Sequence, residues 1–492
     1  MKVARTVTAA ADLDPRLICE IASGGELRIG PGLLREVQRR CAQAREVLRS
    51  GQPVYGVNTG MGALSGVRLT EPQQLAHQRN LLLARATGGP PWLDAADARA
   101  IIAVRLRTFL AGDAGVSGQL CQRLADFLAE GIVPAVPRTG VGSAGEIMPL
   151  AHAFGPLAGI GQTLGPGGEV RPAARALARH GLEEFALGPK EGIALLAGVP
   201  GATALAVRRA ADAGTVAAMM EAAAGLSIVA AGASRDPYHP ACARGDDILA
   251  GVLGRLRAVA GAGPARAALQ APVSFRVAGP VLTQVLRARD ALTAAIGRAL
   301  AGVTDSPAFL DGRFVGTAGF HGIDLAAHCD QLTAALAHAA EVAAARLHRL
   351  LDPEVTGLPA QLARTPGPDT GLVTVHKRAA GEVHAMRRLA MATPVGLIET
   401  SGGHEDVQSF GWEAAEALRA ALRHARVVTA CELLAGWQAI ALTGLPAPPG
   451  CRDVLGWLAD VIEPIDADRP FGEDIERIVA APWPGGARGS AA

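Results

Sequence analysis

Tyr55 is one of only two tyrosines in a chain of 492 residues, and it stands in a glycine-rich turn, Tyr55-Gly-Val-Asn58-Thr-Gly60-Met61-Gly62. A phenol of pKa about 10 works as a base near neutrality only with cations or hydrogen-bond donors beside it. The plainer role for such a ring is to pin its own loop. Arg276, closing Gln270-Ala-Pro-Val273-Ser-Phe-Arg276, offers a planar fork suited to a carboxylate, although a surface ion pair explains many such arginines. Glu405, in Gly402-Gly403-His404-Glu405-Asp406, is placed to assist proton transfer or to hold a cation, and Asp406 suits the N-cap of a helix starting nearby. Lys190, directly after Pro189, reads as a structural residue at a helix start.

A second glycine-rich stretch, GVGSAGEIMPLAH at 140–152, invites three chemical readings. It matches the dinucleotide pattern G-x-G-x-x-G, but that pattern needs a preceding strand, and Pro134 and Pro137 deny it a full ladder. A nucleophile elbow requires glycine two residues before the serine, where Val141 stands. A phosphate loop would end in Gly-Lys-Ser/Thr, yet the lysines are Lys2, Lys190 and Lys377. No metal site is expected: His321 and His328, seven apart, would lie about 10 Å from each other on a helix, too far for one ion.

The elements that must hold these residues are mostly helices. In the segment 332–351, Leu332, Leu336, Ala339, Ala343, Leu347 and Leu350 recur at steps of three and four, the period of one helical face. Similar patterns cover 203–226, 244–262, 281–302, 376–392 and 411–443, while strand-like alternation is short and rare. The expected fold is therefore mainly α, with the glycine-rich loops at 56–66, 137–145, 312–322 and 399–406 carrying the chemistry. Residues 161–173 read as a surface connection. The chain divides by expectation into an N-terminal, loop-rich helical domain (1–200), a central bundle with C-terminal helices (201–482) and a disordered tail (483–492).

With 49% hydrophobic residues and a net charge of +1, the chain can bury a large core and carries no electrostatic footprint for nucleic acid. Seven scattered cysteines without C-x-x-C spacing suit a reducing compartment. The apolar stretch 216–233 is interrupted by Glu221 and reads as a core helix rather than a membrane span. The expectation is a cytoplasmic protein acting on a small molecule, with neither membrane nor nucleic acid as partner.

Six motifs in order extend these readings: Tyr55-Gly-Val-Asn58-Thr-Gly60-Met61-Gly62, the 141–152 loop, Gly188-Pro-Lys190-Glu-Gly192-Ile-Ala-Leu-Leu196, Gln270 to Arg276, Gly357-Leu-Pro359 and His404-Glu405-Asp406. Together they resemble the histidine and aromatic amino acid ammonia-lyase family over about residues 50–475. The resemblance implies an aspartase/fumarase-like fold with a long central helical bundle, and a homotetramer whose active sites are shared between subunits. It implies Tyr55 and Glu405 as catalytic residues, and Asn58, Met61, Arg85, Gln270, Arg276 and His404 around the substrate. Arg85 stands where the histidine enzymes of the family place a substrate-contacting histidine.

In that family an Ala-Ser-Gly triad cyclises to methylidene-imidazolone, the electrophile that takes up the substrate amine. Here the triad is Ser143-Ala144-Gly145, and Ala144 has no hydroxyl to lose. The prosthetic group is not expected, and no other cofactor is implied. Other positions that serve the electrophile have changed with it: the family's asparagine is Ala197, its tyrosine Val273 and a second asparagine Gly319. A quaternary trimethylammonium has no lone pair to offer an electrophile and leaves directly as trimethylamine. The pattern therefore resembles an ergothionase-like branch, which converts ergothioneine to thiourocanate. The alternatives are an ammonia-lyase with a ring shifted to Gly142-Ser143-Ala144, a non-catalytic homologue assembling with an active lyase, and an aspartase-like elimination.

Overall fold

Helices dominate the computed structural model, which describes residues 4–261, 270–396, 398–444 and 446–484. The periodic segments form Pro200–Ala230, Asp247–Ala260, Ala278–Ala301, Ile323–Leu350, Val373–Leu389 and Gly411–Thr443. Caps set several boundaries. The Asp246 carboxylate accepts the Leu249 N–H at 3.1 Å to start Asp247–Ala260, and Gly261, at φ 62°, ends it in a conformation that disfavours other residues.

Two compact units are present, each discontinuous in sequence: Met1–Arg208 with Thr293–Cys329 and Ala392–Glu416, and Arg209–Leu292 with Asp330–Met391 and Ala417–Ala492. The sequence suggests instead a single break at residue 200. Periodicity reports which face of a helix is buried, not which helix covers it, so the two later returns of chain to the first unit leave no mark in the pattern.

In the first unit the helix Ala95–Leu110 is buried on nearly every side. Its arginines reach carbonyls in the last turns of other helices: Arg99 donates to Ile21 of Pro15–Ala22 and Leu128 of Gly118–Ala129, both at 2.9 Å, and Arg107 to Leu300 of Ala278–Ala301 at 2.9 Å. Such contacts satisfy backbone acceptors that helices and strands leave over. Strands are only two or three residues long. Arg5–Val7 pairs in parallel with Leu27–Ile29, Val133–Pro134 and Val170–Pro172 flank Gln162–Leu164, and Ala308–Leu310 pairs with Arg313–Val315. Residues 161–173 are thus a paired hairpin rather than a plain connection, and Pro134 sits within a short strand, opposite Thr163. Lys190 precedes the helix Glu191–Leu196 and pairs with Asp305 at 2.8 Å, both buried.

In the second unit the stripe Leu332, Leu336, Ala339, Ala343, Leu347 and Leu350 is buried as its spacing predicts. Glu221, the break in the apolar stretch, pairs with Arg255. The helical stretch Glu191–Ala230 and the helix Gly411–Thr443 are apolar enough in length and composition to cross a membrane, but 78% of the most apolar window at each is buried inside the protein, as expected of core helices. The expected tail begins with an ordered contact, since the Trp483 ring meets Trp457 edge-on at 4.9 Å. Residues 485–492 lie outside the described residues.

Candidate active site

The Tyr55 loop is held from beneath by a residue that sequence inspection passes over. Gln78, fully buried on the helix Glu71–Arg85, donates Nε2 to the Gly56 carbonyl at 3.0 Å and accepts the Ile193 N–H at 2.9 Å. Gly56 has φ 67°, and a Cβ there would lie 2.3 Å from Ile193 Cδ1, so glycine is required by both conformation and space. Asn58 turns inward: its Oδ1 accepts Val54 N–H and its Nδ2 donates to the Gln52 carbonyl, each at 2.7 Å. Its amide therefore shapes the loop. Tyr55 is left 44% exposed, with its phenolic oxygen accepting the Gly62 N–H at 2.8 Å.

Arg85 ends the helix Glu71–Arg85 and brings its Nη2 to 3.7 Å from Met61 Sδ. Its buried Nε has no hydrogen-bond partner. Burial pulls the guanidinium below its ordinary value, opposed by the charges of Tyr55 and Glu405 that face it. His77, on the same helix, is held below its ordinary value by burial and then by Arg85.

Glu405 arrives on a tight turn. Thr400 and Glu405 exchange backbone hydrogen bonds at 2.9 and 3.3 Å, with Ser401 at φ 56° between them. The turn Ser401–Gly403 packs against Gly62–Leu64 of the tyrosine loop. Glu405 Oε2 then accepts the backbone N–H of Ala144 at 2.9 Å and the Thr400 hydroxyl at 3.2 Å. One carboxylate thus joins the 143–145 loop to the Tyr55 and Arg85 side of the site. His404 is exposed. Asp406 is also exposed and caps no helix, because the next one starts five residues on, at Gly411.

Ser143 donates its hydroxyl to the Gly145 carbonyl at 2.6 Å. Below the loop, Glu146 accepts the Gly201 and Ala202 N–H groups at 2.7 and 2.6 Å, at the start of Pro200–Ala230, where a carboxylate meets the positive end of the helix. Burial nevertheless raises Glu146 to about 7, against those hydrogen bonds and Arg105. Glu413, in the first turn of Gly411–Thr443, is also raised to about 7 by burial, and its Oε2 has no hydrogen-bond partner. Trp412 donates its ring N–H to the Arg138 carbonyl at 2.9 Å, tying that helix to the base of the loop.

The first unit therefore brings together Tyr55, Met61, Arg85, Glu405 and the loop Ser143, Ala144 and Gly145. Gln270 and Arg276 belong to the second unit, where Gln270 is exposed and Arg276 ends the short helix Val273–Arg276. The positions that depart from the family have different surroundings. Ala197 offers its carbonyl to Arg105, Val273 is exposed, and a Cβ on Gly319 would lie 2.1 Å from the Val303 carbonyl oxygen. Among the described residues no three histidine, cysteine or acidic side chains are grouped to hold an ion.

Gln78, Glu146 and Glu413 are the site residues that sequence reasoning missed. For Gln78 a signal exists, since it shares a helical stripe with buried Leu81 and Leu82. For Glu413 there is none, because a glutamate in a first helical turn is ordinarily a solvated one.

Comparison with known proteins agrees with this architecture. The aromatic amino acid lyase family matches residues 13–459. Histidine ammonia-lyase of Symbiobacterium thermophilum is 30% identical over 94% of both chains, and that of Streptomyces avermitilis is 34% identical over 82% of this chain and 81% of its own. Among solved structures, ergothionase of Treponema denticola superposes with a TM-score of 0.90 over 97% of this chain and 98% of its own, at 23% identity, a likeness of fold. The chain belongs to the aromatic amino acid lyase family and is a carbon–nitrogen lyase.

Proposed function

We propose that this lyase eliminates trimethylamine from a betaine of a ring-bearing amino acid, converting ergothioneine to thiourocanate, and does so without methylidene-imidazolone. The observation that carries the reading is Ala144. The family's electrophile loses the hydroxyl of its central residue, and the residue here has only a methyl group. Its N–H is engaged by Glu405 and the neighbouring Ser143 hydroxyl by the Gly145 carbonyl, so the residues present do not fit the group.

In this reading Tyr55 takes the β-proton. The Gly62 N–H donates to the oxygen that would carry negative charge, and Arg85 is the cation facing it. As the β C–H bond breaks, its electrons form the Cα–Cβ double bond, and the Cα–N electrons leave with neutral trimethylamine. Glu405 stands by the cationic leaving group, Arg85 or Gln270 meets the thioimidazole, and Arg276 binds the carboxylate. Met61 and His404 line the substrate, Asn58 holds the tyrosine loop, and the working assembly is a homotetramer with shared sites.

The Treponema denticola protein degrades ergothioneine, but its likeness is one of fold, so the substrate assignment rests on residues of this chain. A second reading, histidine ammonia-lyase with a ring shifted to Gly142-Ser143-Ala144, is favoured by the names of the curated relatives. Incubation with ergothioneine, hercynine, histidine, phenylalanine and tyrosine separates the two. The proposal expects trimethylamine and a conjugated acid from a betaine; ammonia from histidine, with the betaines inert, would refute it.

A further inference from the structure

A four-residue helix cannot fix its own end, yet Val273–Arg276 ends on the residue assigned to the carboxylate. Two buried side chains grip the carbonyls just before it. Tyr238, 1% exposed, donates its hydroxyl to the Phe275 carbonyl. Arg346, also buried, donates Nη1 to the Ser274 carbonyl at 3.2 Å. Arg346 is in turn held by Glu432 through two parallel hydrogen bonds of 2.7 and 3.0 Å, and Glu432 accepts the Ser227 hydroxyl at 2.7 Å. Among the described residues Arg276 makes a single hydrogen bond, from Nε to the Ala271 carbonyl at 3.0 Å, which leaves both Nη groups available to a ligand.

A buried ion pair is seldom a better stabiliser than well-packed apolar side chains of similar volume. Its geometric rigidity is what an apolar replacement would lack, and here that rigidity is directed at consecutive carbonyls of one turn. We infer that Tyr238 and the Arg346–Glu432 pair are positioning residues that aim the Arg276 fork at the substrate carboxylate. This rests on the reading of Arg276 as the carboxylate-binding group.

The test measures dissociation constants for ergothioneine and its carboxamide in a Tyr55→Phe background, which blocks turnover. Tyr238→Phe, which removes one hydroxyl, is expected to weaken ergothioneine binding roughly 5- to 10-fold while leaving the carboxamide unchanged. Arg346→Lys, which keeps the charge opposite Glu432 but loses the fork, is expected to show the same selective loss. It also serves as the second variant should Tyr238→Phe not fold. Equal weakening of both ligands, or of neither, in folded variants overturns the inference. If Arg276→Met leaves the preference for the carboxylate intact, or if ergothioneine does not bind at all, the assignment of Arg276 falls and takes the inference with it. A selective loss in Arg276→Met without one in Tyr238→Phe or Arg346→Lys refutes the positioning role alone.

Discussion

Tyr55 and Glu405 stand out by residue type, a rare tyrosine and a glutamate each in a glycine-rich turn, whereas Arg85 is singled out only by the family resemblance. What the sequence hid is how they are held. Gln78 fixes the Gly56 carbonyl; its stripe with Leu81 and Leu82 marks it as buried, but nothing in the sequence says which carbonyl it supports. Because Tyr55 is 44% exposed and anchored through the backbone around it, Tyr55→Phe should retain the wild-type melting temperature while kcat falls by about 10²- to 10⁴-fold, the range for loss of a general base. Steady-state kinetics beside thermal unfolding will show it; a loss of less than threefold would remove Tyr55 from the chemistry. Gly319 makes the departures from the family more than missing side chains. With the Val303 carbonyl oxygen 2.1 Å from any Cβ, restoring the family's asparagine by Gly319→Asn should destabilise the protein by roughly 1–3 kcal/mol, measured by denaturant unfolding. An unchanged midpoint would mean that the backbone there yields freely.

At the scale of elements, helix termini do much of the positioning around the 143–145 loop. Glu146 caps Pro200–Ala230, and Glu413 opens Gly411–Thr443 with one oxygen unpartnered. These roles escaped the sequence because periodicity identifies a helix without telling which loop covers its first turn; the same limit explains why Asp406 was expected as a cap. The carboxyl of Glu413, raised by burial from 4.5 to about 7, keeps its proton in the folded protein at pH values where the unfolded chain has already released it. Folding therefore takes up a proton in that window, and the contribution of this group to stability falls as pH rises from 4.5 to about 7. Glu413→Gln, neutral throughout, should gain stability over the wild type at pH about 8 and little at pH about 4, read from melting temperatures across the range. An identical difference at both ends would show that Glu413 titrates normally.

For the whole molecule, the mainly α architecture followed from the spacing of Leu332 to Leu350 and its counterparts, and from strands too short to build a large sheet. The two discontinuous units did not follow, since a chain that returns to an earlier unit at 293 and again at 392 carries no compositional seam there. Gln270 and Arg276 show the same limit, as their motif is readable while the unit they belong to is not. What unites the levels is the loop Ser143-Ala144-Gly145, where Glu405 accepts the Ala144 N–H and the Gly145 carbonyl accepts the Ser143 hydroxyl. The most direct measurement is the intact mass of the purified, active protein. The account predicts the mass encoded by the sequence, with Ser143, Ala144 and Gly145 unaltered. A deficit of two waters located to residues 142–145 would mean that an electrophile forms there after all, and would contradict it.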